Sequence, residues 1–425
     1  MSRRHILIPD SLASVFTRLE ELVLANSGED ELEEIFKLLL AKLWAEKSGG
    51  ADRFQVHGSP ALTFEALSEL LAAAARSWEG LLAPGEGFRL SPEHLEACVH
   101  TLVGVELLAS GGEALDATFE FLTARGRKGV KGQFFTPRHA VDLCVRMVRP
   151  RPSETVLDPA CGSGAFLLHA LAQLREAGEL RSEAEVARYA EERLWGFDFD
   201  PRAIRIARAL LRVAGDGRAN LVRLNSLIKR EGARGGSSEP TLEQVLRARG
   251  GPTSGFDVVL TNPPFAGEIR ERELLDGYAL GAGRARVERD VLFLERCVEL
   301  LRPGGRLCIV LPHSKLAAES FAPVREWLLE RVRLVAVIGL GRNTFMPHTS
   351  QKASVVFGIR RAREGCSLEE TIFFGVSERE GKDARGLPIF RGGAGDGRSW
   401  RELDHDLGEL LLGFDERRRA EAEEG

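Results

Sequence analysis

Short β-rich runs alternate with helical runs from residue 155 onward in this chain of 425 residues. The helical runs, at 166–175, 203–213 and 291–301, carry apolar residues at three- and four-residue steps. Strands that alternate with helices predict βαβ units and a mostly parallel sheet, so the predicted fold class is α/β. The predicted strands are 155–157, 194–197, 221–224, 256–260, 307–311, 334–338 and 354–359. No long helix separates the last two, which indicates an antiparallel pair at the sheet edge.

The rest of the chain has other patterns. Apolar spacing is helical up to about residue 127, and Ser91 followed by Pro92 is a typical helix start, an N-cap with proline in the first turn. Residues 229–255 are rich in Gly, Ser and Arg and predict a surface insertion. We therefore divide the chain into a helical N-terminal domain (1–127), an α/β domain (128–362) and a C-terminal extension (363–425).

Charge and cysteine content limit the classes of function. The formal net charge is −5, so no global basic excess indicates nucleic-acid binding, although a local stripe or a partner subunit can supply positive charge. The six cysteines form no C-x-x-C pair, which disfavours a disulfide framework and a structural zinc site. No signal peptide and no apolar run of about 18 residues is present, which predicts a cytoplasmic protein that does not enter a membrane.

A glycine-rich turn at 158–164 (DPACGSG) joins the first predicted strand to a helix. Glycines let the backbone approach a ligand closely, and this turn lies at the carboxyl edge of the sheet, where α/β folds bind ligands. The spacing is neither the dinucleotide fingerprint G-x-G-x-x-G nor a P-loop. Asp158 favours a ligand with a cationic group, because a carboxylate repels a pyrophosphate.

A second acidic turn, 196–201 (GFDFDP), follows the next predicted strand. We select Asp198 as the acceptor for two adjacent ribose hydroxyls, a role that acidic residues have in nucleotide-binding sheets. Asp200 precedes Pro201 and is better explained as the N-cap of the following helix.

Two consecutive prolines follow the fourth predicted strand, in the sequence Asn262-Pro263-Pro264-Phe265. Prolines restrict the backbone, so the side-chain oxygen of Asn262 and the carbonyl of Pro263 are expected to converge on one point. Two converging acceptors suit an exocyclic NH₂ group. The alternative is a strand exit that only ends a βα unit.

A fourth segment, 132–137 (GQFFTP), precedes the first predicted strand. In this order the four segments resemble the DNA adenine-N6 methyltransferases of the gamma arrangement, and more narrowly the modification subunit of type I restriction-modification systems. The resemblance covers residues 114–359, including 301–306 (LRPGGR). It implies a class I S-adenosylmethionine-dependent methyltransferase fold, a Rossmann-like, mostly parallel seven-stranded sheet, with an N-terminal helical domain and residues 128–362 as the catalytic domain.

The resemblance also implies roles for individual residues. The cofactor S-adenosyl-L-methionine would be held by Phe134, Thr136, Asp158, Ala160, Gly162, Gly164, Asp198 and Asn225. Asn225 occupies the place of an acidic residue that accepts from the cofactor's adenine, so charge assistance is lost there. Asn262, Pro263 and Phe265 would form the catalytic pocket, and no metal is implied. The flipped base would stack on Phe265 and on either Phe345 or His348.

The resulting hypothesis is a site-specific adenine methyltransferase that acts on double-stranded DNA, as the modification subunit of a restriction-modification or related defence system. The alternatives are a protein-glutamine or ribosomal-RNA amino-group methyltransferase, which uses a similar Asn-Pro-Pro element, and a non-catalytic methyltransferase-like scaffold. Roughly 65 residues follow the last predicted strand, against about 150 for an ordinary domain, so a separate specificity subunit is expected to read the DNA site. A restriction subunit is a further expected partner. The amphipathic stretch 407–412 either docks such a partner or packs on its own domain.

Overall fold

A computed structural model describes residues 15, 18–23, 30–108, 136–215, 218–229, 240–365, 370–392 and 400–424. These residues fall into two compact units. The first takes its described residues from Met1–Lys128, Arg208–Ala214 and Ala394–Arg401. The second takes its described residues from Gly129–Ala207, Gly215–Gly393 and Glu402–Gly425.

The first unit contains the helices α1 (Glu31–Lys47), α2 (Pro60–Ser77) and α3 (Pro92–Leu102). Ser59 and Ser91 cap α2 and α3, each accepting from the backbone N–H three residues further on, and a proline occupies the first turn of both helices. The helix start predicted at Ser91 is therefore confirmed. The rings of Trp44 and Trp78 meet edge to face, with centroids 5.3 Å apart.

The second unit is organised around a large sheet. Its strands are β1 (Val156–Asp158), β2 (Leu194–Asp198), β3 (Asn220–Arg223), β4 (Phe256–Thr261), β7 (Leu301–Pro312), β8 (Val332–Gly339), β9 (Ala353–Arg360) and β10 (Phe373–Val376), and a separate antiparallel pair is formed by β5 (Glu268–Ile269) and β6 (Val287–Glu288). The order across the large sheet is β10-β8-β9-β7-β4-β1-β2-β3. Neighbours are parallel except for the two pairs that β9 makes, with β7 and with β8.

The predicted α/β class and mostly parallel sheet are confirmed, but the described residues contribute eight strands to the sheet rather than the seven implied by the resemblance. The antiparallel pairing of β8 with β9 is confirmed, yet β9 lies between β7 and β8, inside the sheet. The strand at this edge is β10, which pairs with β8 and which the sequence did not indicate. Strand β10 has four residues, one of them glycine, and this run is too short to show a periodic apolar pattern.

Further helices are α4 (Arg138–Val148), α5 (Ala165–Glu176), α6 (Glu183–Arg193), α7 (Pro201–Gly215), α8 (Leu242–Ala248), α9 (Arg272–Leu275), α10 (Arg289–Leu300), α11 (Ser314–Ala317), α12 (Ala322–Arg331) and α13 (Leu407–Glu424). One of them, α8, corrects the interpretation of 229–255 as a surface insertion. Leu242, Val245 and Leu246 of this helix are buried in the core of the second unit, in a cluster that includes Trp195. Part of the region is therefore core.

The C-terminal helix α13 packs on the second unit, against α4 and β10. Phe414 is 1% exposed, and its ring centroid lies 5.7 Å from that of Phe357 and 5.8 Å from that of Phe373. Leu412, by contrast, is 64% exposed. The stretch at 407–412 is thus the start of a packed helix that leaves one large apolar side chain in solvent.

Candidate functional site

Three neighbouring parallel strands, β4, β1 and β2, end at the same edge of the sheet. Their last residues are Thr261, Asp158 and Asp198, and all three are buried. Because the carboxyl ends of parallel strands meet at one edge, groups that are distant in sequence lie together there. The loops that leave β1 and β4 carry six of the predicted site residues: Ala160, Gly162, Gly164, Asn262, Pro263 and Phe265.

Asp158 is 1% exposed at the end of β1. Its Oδ1 accepts hydrogen bonds from Thr261 Oγ1 (2.7 Å) and from the backbone N–H of Ala160 (3.1 Å). Burial raises the pKa of the Asp158 carboxyl to about 7; the two hydrogen bonds oppose this rise, and the negative charge of Asp198 adds to it. A buried carboxyl of this kind favours a ligand that brings a positive charge to it.

Asp198 joins the end of β2 to the glycine-rich turn. Its Oδ2 accepts from the backbone N–H of Gly162 (3.0 Å) and its Oδ1 from that of Asp200 (2.9 Å). A carboxylate has about four lone-pair positions, so it can accept several hydrogen bonds at once. Asp200 Oδ1 in turn accepts from the backbone N–H of Arg202 (2.9 Å), which confirms Asp200 as the N-cap of α7.

The glycine-rich turn needs glycine at two positions. Gly162 (φ 53°) and Gly164 (φ 84°) have left-handed backbone, which glycine adopts without strain. Apart from Gly162 and its two chain neighbours, no atom lies within 4 Å of the position that a Cβ at Gly162 would take. The turn therefore presents bare backbone to open space, as close approach of a ligand requires.

An open cleft lies along this edge of the sheet. Its lining consists of Pro159, Ala160, Asp198, Phe199, Leu224, Asn225, Ser226, Leu227, Pro264, Ile269, Arg289 and Phe293. The predicted cofactor residues Ala160, Asp198 and Asn225 thus share one cleft. Apolar side chains with a few polar groups among them are typical of small-molecule sites.

Asn225 is held at the cleft by its own turn, since its Oδ1 accepts from the backbone N–H of Leu227 (3.1 Å). The adjacent Ser226 is buried, and its Oγ donates to the carbonyl of Pro159 (2.6 Å). This bond joins the loop after β3 to the glycine-rich turn. Both sides of the cleft are therefore fixed to each other.

The Asn-Pro-Pro segment leaves β4 beside Asp158. Asn262 Nδ2 donates to Thr136 Oγ1 (2.8 Å), and Pro263 and Pro264 are buried. The donor and the acceptor of an amide lie on opposite sides, so the bond to Thr136 determines the direction in which Asn262 Oδ1 faces. Thr136 and Asn262, which we assigned to different functions, are in direct contact.

Two aromatic rings follow this segment. Phe265 is 7% exposed and Phe345 is 1% exposed, and they meet edge to face with centroids 5.6 Å apart. Of the two candidates for base stacking, Phe345 is buried and makes this ring contact, and His348 is exposed; both remain predictions. Phe134 lies outside the described residues.

Three residues at the site were not predicted from the sequence: Thr261, Ser226 and Arg289. Thr261 was detectable, because it lies directly between the predicted strand 256–260 and Asn262. Arg289 follows no motif. Its backbone N–H donates to the Gly267 carbonyl (2.9 Å), and a Cβ at Gly267 would lie 3.0 Å from Arg289 Nη2, so the guanidinium lies over this glycine at the cleft.

Within the described ranges, no helix is long and apolar enough to cross a membrane. The same residues contain no group of three or more His, Cys, Asp or Glu side chains that could hold a metal ion. Five cysteines lie in the part of the chain that the structure describes; all are buried and none forms a disulfide: Cys98, Cys144, Cys161, Cys297 and Cys308.

Comparison with known proteins gives one family. A family model described as N-6 DNA Methylase matches residues 113–388. The chain is 26% identical over 229 residues to the type II restriction enzyme and methyltransferase RM.BcgI of Heyndrickxia coagulans, which covers 53% of this chain and 31% of that protein. It is 25% identical over 230 residues to the type I restriction enzyme EcoEI methylase subunit of Escherichia coli. That match covers 54% of this chain and 42% of that subunit. The match thus spans less than half the length of these relatives.

A solved structure resembles nearly the whole chain. It is the crystal structure of a modification subunit assigned to a type I restriction enzyme from Vibrio vulnificus YJ016, with a TM-score of 0.63 and 19% identity. The similarity covers 98% of this chain and 92% of that one. At this identity it concerns the fold, a helical N-terminal region followed by an α/β sheet.

Asp158 gives a prediction for the ligand-free protein. Because burial raises the pKa of Asp158 in the folded state to about 7, from an unfolded value of about 3.9, its contribution to stability is full below about pH 4 and is lost as the pH rises through about 7. Asp158→Asn does not titrate at this position. The free energy of unfolding of the variant, relative to that of the wild type, should therefore be larger at pH 8 than at pH 5. Urea unfolding at both pH values measures this gain. The exposed Asp276, changed to Asn, is the control; equal pH trends for the two variants would contradict the prediction.

Proposed function

The chain belongs to the N-6 DNA methylase family, and from that premise we propose that it transfers a methyl group from S-adenosylmethionine to the exocyclic amino group of adenine in double-stranded DNA. We propose further that it acts as the modification subunit of a restriction-modification system. The observation that carries the proposal is the juxtaposition of the Asn262–Phe265 segment with the carboxylates of Asp158 and Asp198 at one sheet edge. The family match favours DNA over a protein or ribosomal-RNA substrate.

The residues at this edge of the sheet fit this cofactor. Asp198 would accept from the ribose hydroxyls, and Asp158 with the turn of Gly162 and Gly164 would receive the cationic methionine end. Asn225 would accept from the adenine amino group through Oδ1, which has a second lone pair beyond its bond to Leu227. When bound, the cofactor supplies a methyl group on a sulfonium, an electrophile that needs no metal. Phe134 remains a prediction for the same site.

Asn262 and Pro263 would act directly on the amino group that receives the methyl group. The adenine amino group is a poor nucleophile, because its lone pair is delocalised into the ring. Hydrogen bonds from its two protons to Asn262 Oδ1 and the Pro263 carbonyl would stabilise the positive charge that develops on nitrogen. The bond from Asn262 Nδ2 to Thr136 supports this role, because it holds the amide in one orientation before the base arrives.

The target base would be extruded from the duplex to reach this point. Extrusion costs a few kcal/mol, and stacking on an aromatic ring, at about 1–3 kcal/mol per base, offsets part of that cost. Phe265 would supply the stacking surface, and Phe345 would bound the pocket from the side through its edge-to-face contact with Phe265.

We propose that a specificity subunit reads the DNA sequence, and that a restriction subunit completes the assembly in the cytoplasm. The net charge of −5 supports weak DNA affinity of the chain alone. The exposed side of α13, with Leu412 and the charged residues 416–419, is our candidate for the docking surface. Expression of the chain with its genomic neighbours, followed by sequencing of host DNA for N6-methyladenine, tests the whole proposal.

The cofactor site gives a second prediction. Asp198→Ala should reduce the affinity for S-adenosylmethionine by about 100-fold or more, because two hydrogen bonds to a charged group, each about 1.5–3 kcal/mol, are lost. Calorimetric titration measures the affinity. Asp200→Asn, which removes a nearby charge but keeps the helix cap, is the matched control. Unchanged affinity in Asp198→Ala would remove this residue from the site.

The catalytic segment gives a third prediction, which separates binding from chemistry. Asn262→Ala should bind the cofactor as the wild type does and lose about 100-fold or more in methyl transfer, the effect of deleting one preorganised polar group at a developing charge. Transfer of labelled methyl groups to DNA measures the rate. Phe265→Trp should remain active because it keeps a stacking surface. Wild-type turnover in Asn262→Ala would contradict the mechanism.

Dependence on a partner is the fourth prediction. The purified chain alone should bind DNA weakly, with a Kd of about 10⁻⁴ to 10⁻⁶ M at physiological salt and a steep dependence on salt. Addition of the specificity subunit should increase affinity for one sequence by about 10³-fold or more. Fluorescence anisotropy with duplex oligonucleotides measures both. The proposal fails if the chain by itself methylates one defined sequence at a catalytic rate.

A further inference from the structure

The loop between β8 and β9 is held by a segment that comes later in the chain. Residues 341–347 of this loop include Phe345, and we name this part the aromatic loop. The segment that holds it, residues 377–386 after β10, we name the C-terminal strap. The two segments contact each other at three points.

The first contact is made by the Glu380 carboxylate. Its Oε2 accepts from the backbone N–H of Asn343 at 2.5 Å. On the same side, a Cβ at Gly341 would overlap the carboxylate and the Cγ of Glu380. The side chain of Glu380 therefore occupies space that only a glycine at position 341 leaves open.

The other two contacts lie further along the strap. Lys382 Nζ donates to the carbonyl of Met346 at 3.1 Å. Gly386 (φ 86°) packs against the backbone at Pro347, and a Cβ on Gly386 would lie 2.5 Å from Pro347 N. The aromatic loop is thus held on both sides of Phe345.

The strap itself is fixed at its beginning by Asp406, the residue before α13. Asp406 Oδ1 accepts from Ser377 Oγ (2.6 Å), and its Oδ2 accepts from the backbone N–H groups of Glu378 (2.7 Å) and Arg379 (3.1 Å). The carbonyl of Asp406 accepts from the N–H of Leu410 in the first turn of the helix. A continuous series of contacts therefore leads from the start of α13 to the aromatic loop.

We propose that Glu380 is a positioning residue for methyl transfer: it holds the aromatic loop so that Phe345 faces Phe265 and the extruded base meets a pocket of fixed width. This inference rests on the proposed function. Glu380 acts through the loop backbone, by the bond to Asn343 and by packing on Gly341. Displacement of a pocket wall by about 1 Å can cost 10²-fold in rate, so a loop contact of this kind has a measurable effect.

The test uses the full chain with its specificity subunit and duplex DNA of the sequence that the co-expression experiment identifies. Glu380→Ala should lose about 10- to 100-fold in methyl transfer while its affinity for S-adenosylmethionine and its melting temperature match the control. The control is Glu378→Ala, an exposed glutamate of the same strap. Glu380→Gln, whose amide oxygen still accepts from Asn343, should retain most of the activity, and the shorter Glu380→Asp should not.

Gly341→Ala disturbs the same contact by a change in the aromatic loop instead of the strap. The added methyl group should displace the Glu380 carboxylate and give a loss similar to that of Glu380→Ala. The double variant should lose no more than either single one, because both remove one contact. The fluorescence of 2-aminopurine at the target position should show less stable extrusion of the base in Glu380→Ala, in Gly341→Ala and in the double variant.

The outcomes separate the two proposals. A wild-type assembly that transfers no methyl group contradicts the proposed function. An active wild type with Glu380→Ala within about twofold of Glu378→Ala contradicts only the positioning role. A loss of rate in Glu380→Ala that is matched by a loss of cofactor affinity, or additive losses in the double variant, also overturns it.

Discussion

A buried hydrogen bond between neighbouring strands underlies the whole site. Thr261, the last residue of β4, donates to the Asp158 carboxyl at the end of β1, and both residues are almost fully buried. The bond fixes the two loops that leave these strands, the glycine-rich turn and the Asn-Pro-Pro segment, at a constant separation. Asp198 then connects the same turn to β2 through Gly162. The spacing of neighbouring parallel strands therefore sets the distance between the two loops, and the proposed methyl transfer would depend on that distance.

This arrangement has an energetic cost in the ligand-free protein. Two carboxylates lie close together with little exposure to water, and burial raises the pKa of Asp158 to about 7. Groups with strongly shifted pKa values are concentrated at functional sites, because a site built for a charged ligand is strained until the ligand arrives. A ligand with a cationic group and two vicinal hydroxyls would relieve both carboxylates. The electrostatics of the cleft therefore agree with the proposed cofactor.

Most of the second unit was predictable because its signals are local. The predicted strands have counterparts in the sheet, and Ser91 and Asp200 cap helices as their sequence context indicates. The errors occurred where a residue's role depends on distant partners. β10 is a strand only because β8 offers it a free edge. Helix α8 is core only because Trp195 and its neighbours cover three of its side chains. No local composition could reveal either of these.

In the candidate site, too, some features follow from the sequence and others only from the tertiary structure. The sequence by itself determined the residue types: the glycines, the two carboxylates and the Asn-Pro-Pro-Phe segment, since backbone conformation and hydrogen-bonding capacity are properties of each residue and its neighbours. Only the tertiary structure decided their partners. In the folded protein Thr136 contacts Asn262, Thr261 contacts Asp158, and Phe345 contacts Phe265. Glu380 contacts the aromatic loop. These contacts join residues that are far apart in sequence, and such pairs form only when strand order and loop packing bring their backbones together.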